Sequence, residues 1–324
     1  MRVLITGAAG FVGFHVATAL LAQGHEVIGV DNINDYYDIR LKQARLDQLT
    51  PQKNFTFHRL NIADKDAMLP LAKTGITHII HLAAQAGVRY SLENPYAYVE
   101  SNLMGHVTML ELARATPYLK HFVYASSSSV YGANIKVPFA VEDAVDHPVS
   151  LYAATKRADE LMSWTYAHLY ALPCTGLRFF TVYGPWGRPD MAYYSFTKKI
   201  LKGEPITIFN HGAMRRDFTY IDDIVSGVLA VMGHVPVGEG GQPPHRVYNL
   251  GNSHAENLMD FVAALESAIG QKAAYDFQPM QAGDVVETFA DITASTRDFG
   301  YAPKTRIEEG VGKFVAWYKG YYQS

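Results

Sequence analysis

The sequence predicts an α/β fold in which a doubly wound parallel sheet is joined to a smaller C-terminal α/β domain. Short apolar runs alternate with stretches long enough for helices, which is typical of parallel strands with helices on both faces of the sheet. The first run ends in glycines and leads into a helix-like stretch, Phe11–Gln23. The runs predicted as strands are Arg2–Thr6, Glu26–Asp31, Phe55–Ile62, Thr77–Ala83, His121–Ser127 and Thr175–Phe180.

The later part of the chain predicts a second domain, because the regular alternation loosens beyond Pro185. Residues 1–185 are expected to form the first domain, with later segments at about 213–242 returning to it, and residues 186–324 mainly the second. The stretches predicted as helices are Pro95–Ala115 and Leu151–Ala171 in the first domain, and Met191–Lys202, Ile221–Gly233, Leu258–Gly270 and Ile307–Tyr318 later.

Composition excludes several classes of partner. Charged residues make up 18% of the 324 residues and the net charge is -3, which argues against a nucleic-acid or anionic-membrane surface. No run reaches the ~18–20 apolar residues of a membrane helix. The one cysteine, Cys174, cannot form an intramolecular disulfide, which fits a reducing cytoplasm. We therefore expect a cytoplasmic protein, and the spacing of its histidines predicts no metal site.

A glycine-rich turn predicts a dinucleotide site of the Rossmann type. Gly7, Gly10 and Gly13 follow the first strand and open the first helix, where a tight turn and free N–H groups suit a pyrophosphate. Asp31 ends the next predicted strand, 18 positions after Gly13. A carboxylate there accepts hydrogen bonds from a ribose diol and repels a 2′-phosphate, so the sequence favours NAD over NADP.

Two further motifs predict redox chemistry at the same edge of the sheet. Tyr152 and Lys156 are four apart on a predicted helix and therefore share a face. A phenol is a poor base at neutral pH unless a nearby cation favours the phenolate, in which case it can take a proton from a sugar hydroxyl. The serines at 126–129 follow a strand whose end should face the ligand, and the sequence leaves open which one acts.

Taken together, these motifs resemble the extended short-chain dehydrogenase/reductase superfamily, along essentially the whole chain. The resemblance is greatest to NAD-dependent nucleotide-sugar 4-epimerases, and among them to those that act on UDP-glucuronate. The segments that carry this finer resemblance are Asp31–Asp38 (DNINDYYD), Ala84–Arg89 (AQAGVR) and Gly184–Ala192 (GPWGRPDMA).

The resemblance implies roles for individual residues. Tyr152, Lys156 and Ser127 correspond to the catalytic residues. Arg216 matches a diphosphate-binding arginine, whereas a second such arginine is missing and Gln281 or Met280 stands there. The residues expected to bind NAD are Gly7, Gly10, Phe11, Val12, Gly13, Asp31, Asn32, Asn61, Ile62, Leu82, Ala83, Ala84, Gln85, Tyr152 and Lys156. Those expected to bind substrate are Gln85, Arg89, Ser127, Ser128, Ser129, Tyr152, Thr181, Arg188, Arg216 and Gln281.

The activity implied is the reversible interconversion of UDP-glucuronate and UDP-galacturonate through a 4-keto intermediate. A 4-keto group beside a C6 carboxylate makes a β-keto acid, so an epimerase must hold that carboxylate out of alignment for loss of CO₂. Arg188 is the candidate clamp, because guanidinium binds carboxylate in a two-pronged way. A diphosphate contact or a surface charge remains the alternative for Arg188.

Other activities stay open as alternatives. A sugar-nucleotide dehydratase would place an acidic pair where Ser128 and Ser129 stand, and a UDP-glucuronate decarboxylase would carry a Glu in that segment. A neutral UDP-hexose 4-epimerase would have Asn in place of Thr181. A noncatalytic NAD-sensing protein of the same fold is disfavoured by the intact Tyr152 and Lys156. Relatives also imply a homodimer, built from the helices Pro95–Ala115 and Leu151–Ala171.

Overall fold

The computed structural model describes residues 1–280 and 285–323, which fold into strands and helices in the predicted alternation. The strands are β1 (Arg2–Thr6), β2 (Glu26–Asp31), β3 (Phe55–Arg59), β4 (His78–His81), β5 (His121–Ser127), β6 (Cys174–Phe179), β7 (Thr181–Tyr183), β8 (Ile206–Phe209), β9 (Arg215–Arg216), β10 (Phe218–Tyr220), β11 (His245–Leu250), β12 (Glu256–Asn257), β13 (Tyr275–Gln278) and β14 (Glu287–Thr288).

The helices cover both faces of the central sheet described below. They are α1 (Phe11–Ala22), α2 (Ile39–Leu49), α3 (Lys65–Met68), α4 (Tyr90–Glu93), α5 (Pro95–Tyr98), α6 (Gly105–Ala115), α7 (Leu151–Tyr170), α8 (Ala192–Leu201), α9 (Ile221–Met232), α10 (Leu258–Ile269), α11 (Thr293–Phe299) and α12 (Ile307–Tyr322). Short 3₁₀ turns lie at Leu69–Thr74, Ser128–Tyr131 and Asn210–Gly212.

The central sheet has seven strands in the order β11-β6-β5-β4-β1-β2-β3, and all of its pairings are parallel. The chain moves outward from β1 to β3 and then returns to start again at β4, so the strand order reverses between β1 and β4. Ligands of doubly wound sheets bind at the carboxyl ends of the strands at such a reversal. The predicted fold class is therefore confirmed, and it places the glycine-rich turn and the serines at one edge.

The core lies on both faces of the sheet because helices cover both. Alternate residues of β1 point to opposite sides, so Val3 and Ile5 join one buried cluster and Leu4 joins the other. In β4, Ile80 and Ile79 divide in the same way. Each side chain of this kind stabilises the fold by roughly 1.5–3 kcal/mol when fully buried.

Two sequence predictions need correction. The returning segment does not end at residue 242, because the edge strand β11 spans His245–Leu250 and pairs with β6. The stretch Pro95–Ala115 is not one α-helix: a π-helical turn, Val99–Met104, separates α5 from α6. A π turn contains more residues than an α turn and is frequent at functional sites.

The remaining strands form small sheets beside the central one. Strand β7 pairs with β10, β8 pairs with β13, and β9 lies between β12 and β14. Within residues 1–280 and 285–323, none of the helices combines the length and the apolar character needed to cross a bilayer.

Candidate active site

The glycine-rich turn between β1 and α1 is packed so closely that side chains are excluded. Gly7 has a φ of +73°, and a Cβ there would lie 2.9 Å from the backbone N of Ala83. A Cβ on Gly13 would lie 2.0 Å from the carbonyl oxygen of Gly7. The first residue of α1 follows Gly10, which has no capping side chain, so N–H groups at this helix end are left for a ligand. This cradle fits a dinucleotide pyrophosphate.

Asp31 holds the turn from the neighbouring strand. Its Oδ2 accepts a hydrogen bond from the N–H of Ala9 at 3.1 Å, and its Oδ1 accepts one from Ile33 at 2.8 Å. The carboxylate also lines the cleft above the turn. It is therefore oriented by the backbone while still facing the space that an adenosine ribose would fill.

The cleft brings together most of the residues predicted to bind the cofactor. Those that line it are Gly7, Gly10, Phe11, Val12, Gly13, Asp31, Asn32, Ile62, Leu82, Ala83, Ala84, Gln85, Tyr152 and Lys156. Asn61 is not among the lining residues. Strand β3 ends at Arg59, and the Asn61 side chain forms a turn, accepting from the N–H of Ala63 at 3.1 Å and donating to Glu100 at 3.0 Å.

Tyr152 lies in the first turn of α7, with its ring at the cleft. Ser150 caps this helix by accepting from the N–H of Ala153 at 3.1 Å, which fixes where the helix begins. The Tyr152 ring meets the buried ring of Tyr98 edge to face, with centroids 6.1 Å apart. The cap and this aromatic contact together orient the phenol.

Lys156 follows one turn later and is almost fully buried. Its ammonium donates to the carbonyl oxygen of Ala125 at 3.0 Å and to Oδ2 of Asp159 at 3.1 Å. The side chain lines the cleft together with Tyr152. The helix thus presents a phenol and a fixed cation to the same space, as the spacing predicts.

The serines after β5 differ in their surroundings. Ser126 donates to Oε1 of Glu160 at 2.6 Å, which commits its hydroxyl to a buried carboxylate. Ser127 lines the cleft and accepts from the N–H of Ser129 at 3.2 Å, so its own proton is available for another partner. Ser128 and Ser129 lie in the following 3₁₀ turn and do not line the cleft.

A buried ion pair supports this serine segment from behind. Arg178 donates to both carboxylate oxygens of Glu160, at 2.8 and 2.9 Å. Burial alone would raise the pKa of Glu160, but the bonds from Arg178 and Ser126 hold it below its usual value. Arg178 also lies over the ring of Tyr131 at 4.8 Å. The end of β5 is therefore fixed by paired charges.

Asn102, which the sequence analysis missed, connects the helices to the cleft. It lies in the π turn, where its Oδ1 accepts from the N–H of Gln85 at 2.8 Å. Its Nδ2 donates to the carbonyl oxygen of Gln85 at 3.1 Å and to Oγ1 of Thr155 at 3.0 Å. An Asn in this pattern fixes the backbone beside the cleft and ties it to the helix of Tyr152.

Arg188 lines the cleft and is held in place by Asp190. Its Nε donates to Oδ1 of Asp190 at 3.0 Å, and its Nη2 bonds the second carboxylate oxygen. Tyr36 donates to the same carboxylate at 3.2 Å. Burial would raise the pKa of Asp190, but Arg188 keeps it below its ordinary value. A guanidinium thus stands at the cleft in fixed orientation.

Arg45 is a second arginine beside the cleft that the motifs did not reveal. It is fully buried, and its guanidinium donates to carbonyl oxygens on two different loops. One is Ala9 in the glycine-rich turn at 2.8 Å, and another is Trp186 at 2.6 Å. It also donates to the Tyr37 hydroxyl at 2.7 Å. Arg45 therefore joins the turn that would hold the cofactor to the loop that carries Arg188.

Three further residues predicted to bind substrate, Arg89, Thr181 and Arg216, lie outside the lining of the cleft. Arg89 stacks over the ring of Phe209 at 5.1 Å. Thr181 begins β7, where its N–H donates to the carbonyl oxygen of Asp217 at 3.1 Å. Arg216 donates to the carbonyl oxygen of Val286 at 3.0 Å. Gln281 lies outside the described residues.

Several cleft residues had no signal in the sequence analysis. Lys42 of α2 lines the cleft, and its ammonium donates to the carbonyl oxygen of Asn34 at 2.8 Å. Burial lowers the pKa of Lys42, with Asp31 acting in the opposite direction. Lys42 lies 11 residues after Asp31, a separation that is typical of no motif, so only the fold brings the two residues together.

In the described part of the chain, no cluster of His, Cys, Asp and Glu could hold a metal ion.

Comparison with known proteins identifies the family. The sequence profile of the NAD dependent epimerase/dehydratase family matches residues 3–251, which is most of the chain. The chain belongs to this family. The predicted NAD cofactor is thereby confirmed as that of the family, and the cradle at Gly7 and Gly13 fits it.

Individual relatives share the full length of the chain. UDP-glucuronate 4-epimerase 4 of Arabidopsis thaliana is 51% identical, covering 99% of this chain and 76% of the relative. A probable UDP-glucuronate 4-epimerase of Rhizobium meliloti is 48% identical, covering 100% and 98%. Among solved structures, UDP-glucuronic acid 4-epimerase of Bacillus cereus, in complex with UDP-glucuronic acid and NAD, has a TM-score of 0.91 at 33% identity, over 99% of this chain and 100% of that one.

Proposed function

We propose that this chain is an isomerase that interconverts UDP-glucuronate and UDP-galacturonate at C4, with NAD as its cofactor and a 4-keto sugar as intermediate. One observation carries the proposal: Tyr152, Lys156, Ser127 and Arg188 line the same cleft as the glycine-rich turn. Relatives named as UDP-glucuronate 4-epimerases, and a similar fold solved with UDP-glucuronic acid and NAD, support the choice of substrate.

The residues of the cleft divide the chemistry among them. Tyr152 takes the proton from O4 of the sugar and later returns it, and the buried ammonium of Lys156 stabilises the phenolate. The hydroxyl of Ser127, at the end of β5, donates a hydrogen bond to the same O4 oxygen and so orients the sugar. NAD⁺, held by the turn at Gly7 and Gly13 and by Asp31, would supply the hydride acceptor for C4 and, once reduced, the hydride donor for the opposite face, with no net oxidation.

Arg188 supplies specificity for the uronic acid. A two-pronged bond to the C6 carboxylate fixes rotation about C5–C6 and keeps the carboxylate out of the geometry that releases CO₂. Its guanidinium is already oriented at the cleft by Asp190, so little side-chain entropy remains to be lost on binding. Ser128, Ser129 and Thr181 lie outside the lining of the cleft, so their hydroxyls take no part in this proposal.

The experiment monitors the sugar by NMR after UDP-glucuronate is added to the purified, NAD-loaded chain. A mixture that reaches equilibrium with UDP-galacturonate supports the proposal. Release of a UDP-pentose with CO₂ would identify a decarboxylase, and turnover of UDP-glucose alone would identify a neutral-sugar epimerase. Tyr152→Phe is expected to bind UDP-sugar but to lose turnover, and unchanged turnover would remove the assigned base.

A pair of variants tests the carboxylate contact. Arg188→Ala should reduce kcat/KM for UDP-glucuronate by on the order of 100-fold or more, because a charged two-pronged hydrogen bond is lost, and should affect UDP-glucose less. Arg188→Lys keeps the charge but not the planar fork, so it should restore only part of the loss. Equal losses for the two sugars would contradict the clamp.

We further propose the remaining features of the assembly as predictions. Residues 1–185 and the returning segments bind the cofactor, and most of residues 186–324 bind the nucleotide sugar. We also propose a cytoplasmic location and a homodimer. The dimer is supported by apolar side chains that stay exposed on the stretch 95–104 and on α7, and light scattering of the purified chain tests it. These side chains are Tyr96, Val99, Met104, Leu161, Trp164, Leu169 and Tyr170.

A further inference from the structure

Behind Lys156, helix α7 carries a second buried charge, Asp159. The side chains of Lys156 and Asp159 are 4% and 1% exposed, and Nζ lies 3.1 Å from Oδ2. The negative charge of this carboxylate cancels part of the electrostatic field that the Lys156 ammonium exerts on the cleft. The cation next to Tyr152 is therefore not isolated, and its effect on the phenol depends on the charge of Asp159.

The other oxygen of Asp159 faces a histidine without bonding it. Oδ1 of Asp159 and Nδ1 of His106 are both buried, both lack a hydrogen-bond partner, and lie 3.9 Å apart. The remaining ring nitrogen of His106 lies 2.8 Å from Oγ of Ser163. A separation of 3.9 Å is too long for a hydrogen bond and too short to hold a water between the two atoms, so Oδ1 of Asp159 stays without a donor.

The surroundings of Asp159 determine which of its neighbours carry charge. Burial lowers the pKa of His106 and His81, so both rings stay neutral, and Glu160 is committed to Arg178. Burial also raises the pKa of Asp159 to about 7, against the opposing effect of Lys156. The titratable groups that face this site are Lys156 and Glu160 on α7, His106 on α6, His81 on β4, Tyr124 on β5 and His245 on β11.

We propose that Asp159 is a positioning residue that sets how strongly Lys156 stabilises the Tyr152 phenolate, so that loss of the Asp159 proton and loss of the Tyr152 proton oppose each other. This inference rests on the proposed role of Tyr152 as the proton acceptor. When Asp159 is charged, it draws Nζ and cancels part of its field; when Asp159 is neutral, the full field of Lys156 acts on the phenol.

The helix geometry gives the size and sign of the effect. Tyr152 lies four residues before Lys156 and Asp159 three residues after it, so all three follow one face of α7, with the cation between the two acids. At about 10 Å and an effective dielectric constant of ~20, one charge shifts a titration by on the order of one pH unit. Removal of the carboxylate should make the phenolate form at lower pH.

The test compares pH profiles of kcat for the NAD-loaded chain with UDP-glucuronate. Asp159→Asn should move the acid limb of the profile to lower pH by about one unit. Asp159→Glu should keep the wild-type limb because it restores the charge. Asp260→Asn, the same change at an exposed carboxylate on α10, is the matched control and should not move the limb. An Asp159→Asn enzyme that is active with an unshifted limb would overturn the proposal.

A second measurement needs no change at Asp159 itself. Carboxyl ¹³C NMR of the aspartate-labelled chain should show Asp159 titrating at lower pH in Tyr152→Phe than in the unmodified protein, since coupling between two sites is reciprocal. Equal midpoints would refute the coupling even if Asp159→Asn failed to fold. If Tyr152→Phe kept full turnover, the proposed base would fail instead, so the two hypotheses are separable.

Discussion

Gly13 offers a sharp test of how the chain holds its cofactor. The substitution Gly13→Ala places a Cβ 2.0 Å from the carbonyl oxygen of Gly7 and 3.2 Å from Cα of Ala8. Heavy atoms of this kind rarely approach within ~3 Å, so the turn must move by about 1 Å. Gly7 cannot yield freely, because its carbonyl accepts the N–H of Gly10 at 2.9 Å and its own N–H donates to Val30 at 2.8 Å.

The cost falls on the cofactor more than on the fold. A shift of this size misdirects the N–H groups that would face the pyrophosphate, and two hydrogen bonds to a charged group are worth on the order of 3 kcal/mol or more together. We therefore expect NAD to bind roughly 100-fold more weakly or worse. Alanine is favoured over glycine inside a helix by up to ~1 kcal/mol, which partly offsets the strain in stability.

Calorimetric titration of nucleotide-free protein with NAD, together with urea unfolding, separates the two effects. Gly312→Ala is the matched control, because it makes the same change inside α12 where nothing lies within 4 Å of the new Cβ. That variant should bind NAD normally and be slightly more stable. If Gly13→Ala bound NAD as tightly as the control, the reasoning from close packing at the turn would be wrong.

Two further predictions concern buried side chains. Arg45→Lys should lower the free energy of unfolding by about 3 kcal/mol or more and weaken NAD binding, because an ammonium cannot reach carbonyls on both loops. Urea unfolding measures the first effect and retention of the nucleotide measures the second. The control, Arg40→Lys at an exposed position, should change neither quantity. Burial lowers the pKa of His81 to about 3, so below about pH 6.5 the unfolded chain binds a proton that the folded chain does not. The free energy of unfolding should therefore decrease as the pH is lowered, by up to about 1.4 kcal/mol per pH unit. His81→Gln should flatten the dependence of unfolding free energy on pH between about pH 7 and about pH 5, and an unchanged slope would argue against the buried neutral ring.

Local patterns predicted the fold and the centre of the site because their chemistry depends on short spacings. The glycines at 7, 10 and 13 and the pair Tyr152 and Lys156 each lie within one turn or one helix, so the sequence brings them together directly. Strand β11 was missed because its partner in the sheet, β6, is distant from it in the sequence. Its short run, His245–Leu250, carries no pattern that separates a sheet edge from a strand of the second domain.

The residues that the sequence did not reveal act over long separations. Arg45 reaches Trp186 across 141 positions, and no spacing rule connects them. Asp159 is within one turn of Lys156, yet an acidic residue near a lysine on a helix is usually a solvent-exposed pair. Only the packing of α6 and β5 against α7 shows that it is buried. Its burial distinguishes Asp159 from the acidic member of a solvent-exposed ion pair.

The π turn at Val99–Met104 determines which residues of this helical stretch face solvent and which face the interior. Its inward side chain, Asn102, bonds Gln85 at the cleft, whereas Val99 and Met104 of the same turn remain exposed. A π turn holds one more residue than an α turn, so the extra residue is taken up within the turn while the helix on either side keeps its faces. Deleting that residue would restore ordinary helical pitch and remove the widened turn in which Asn102 bonds Gln85. The length of this stretch is therefore tied to the cleft, although part of the turn lies at the surface.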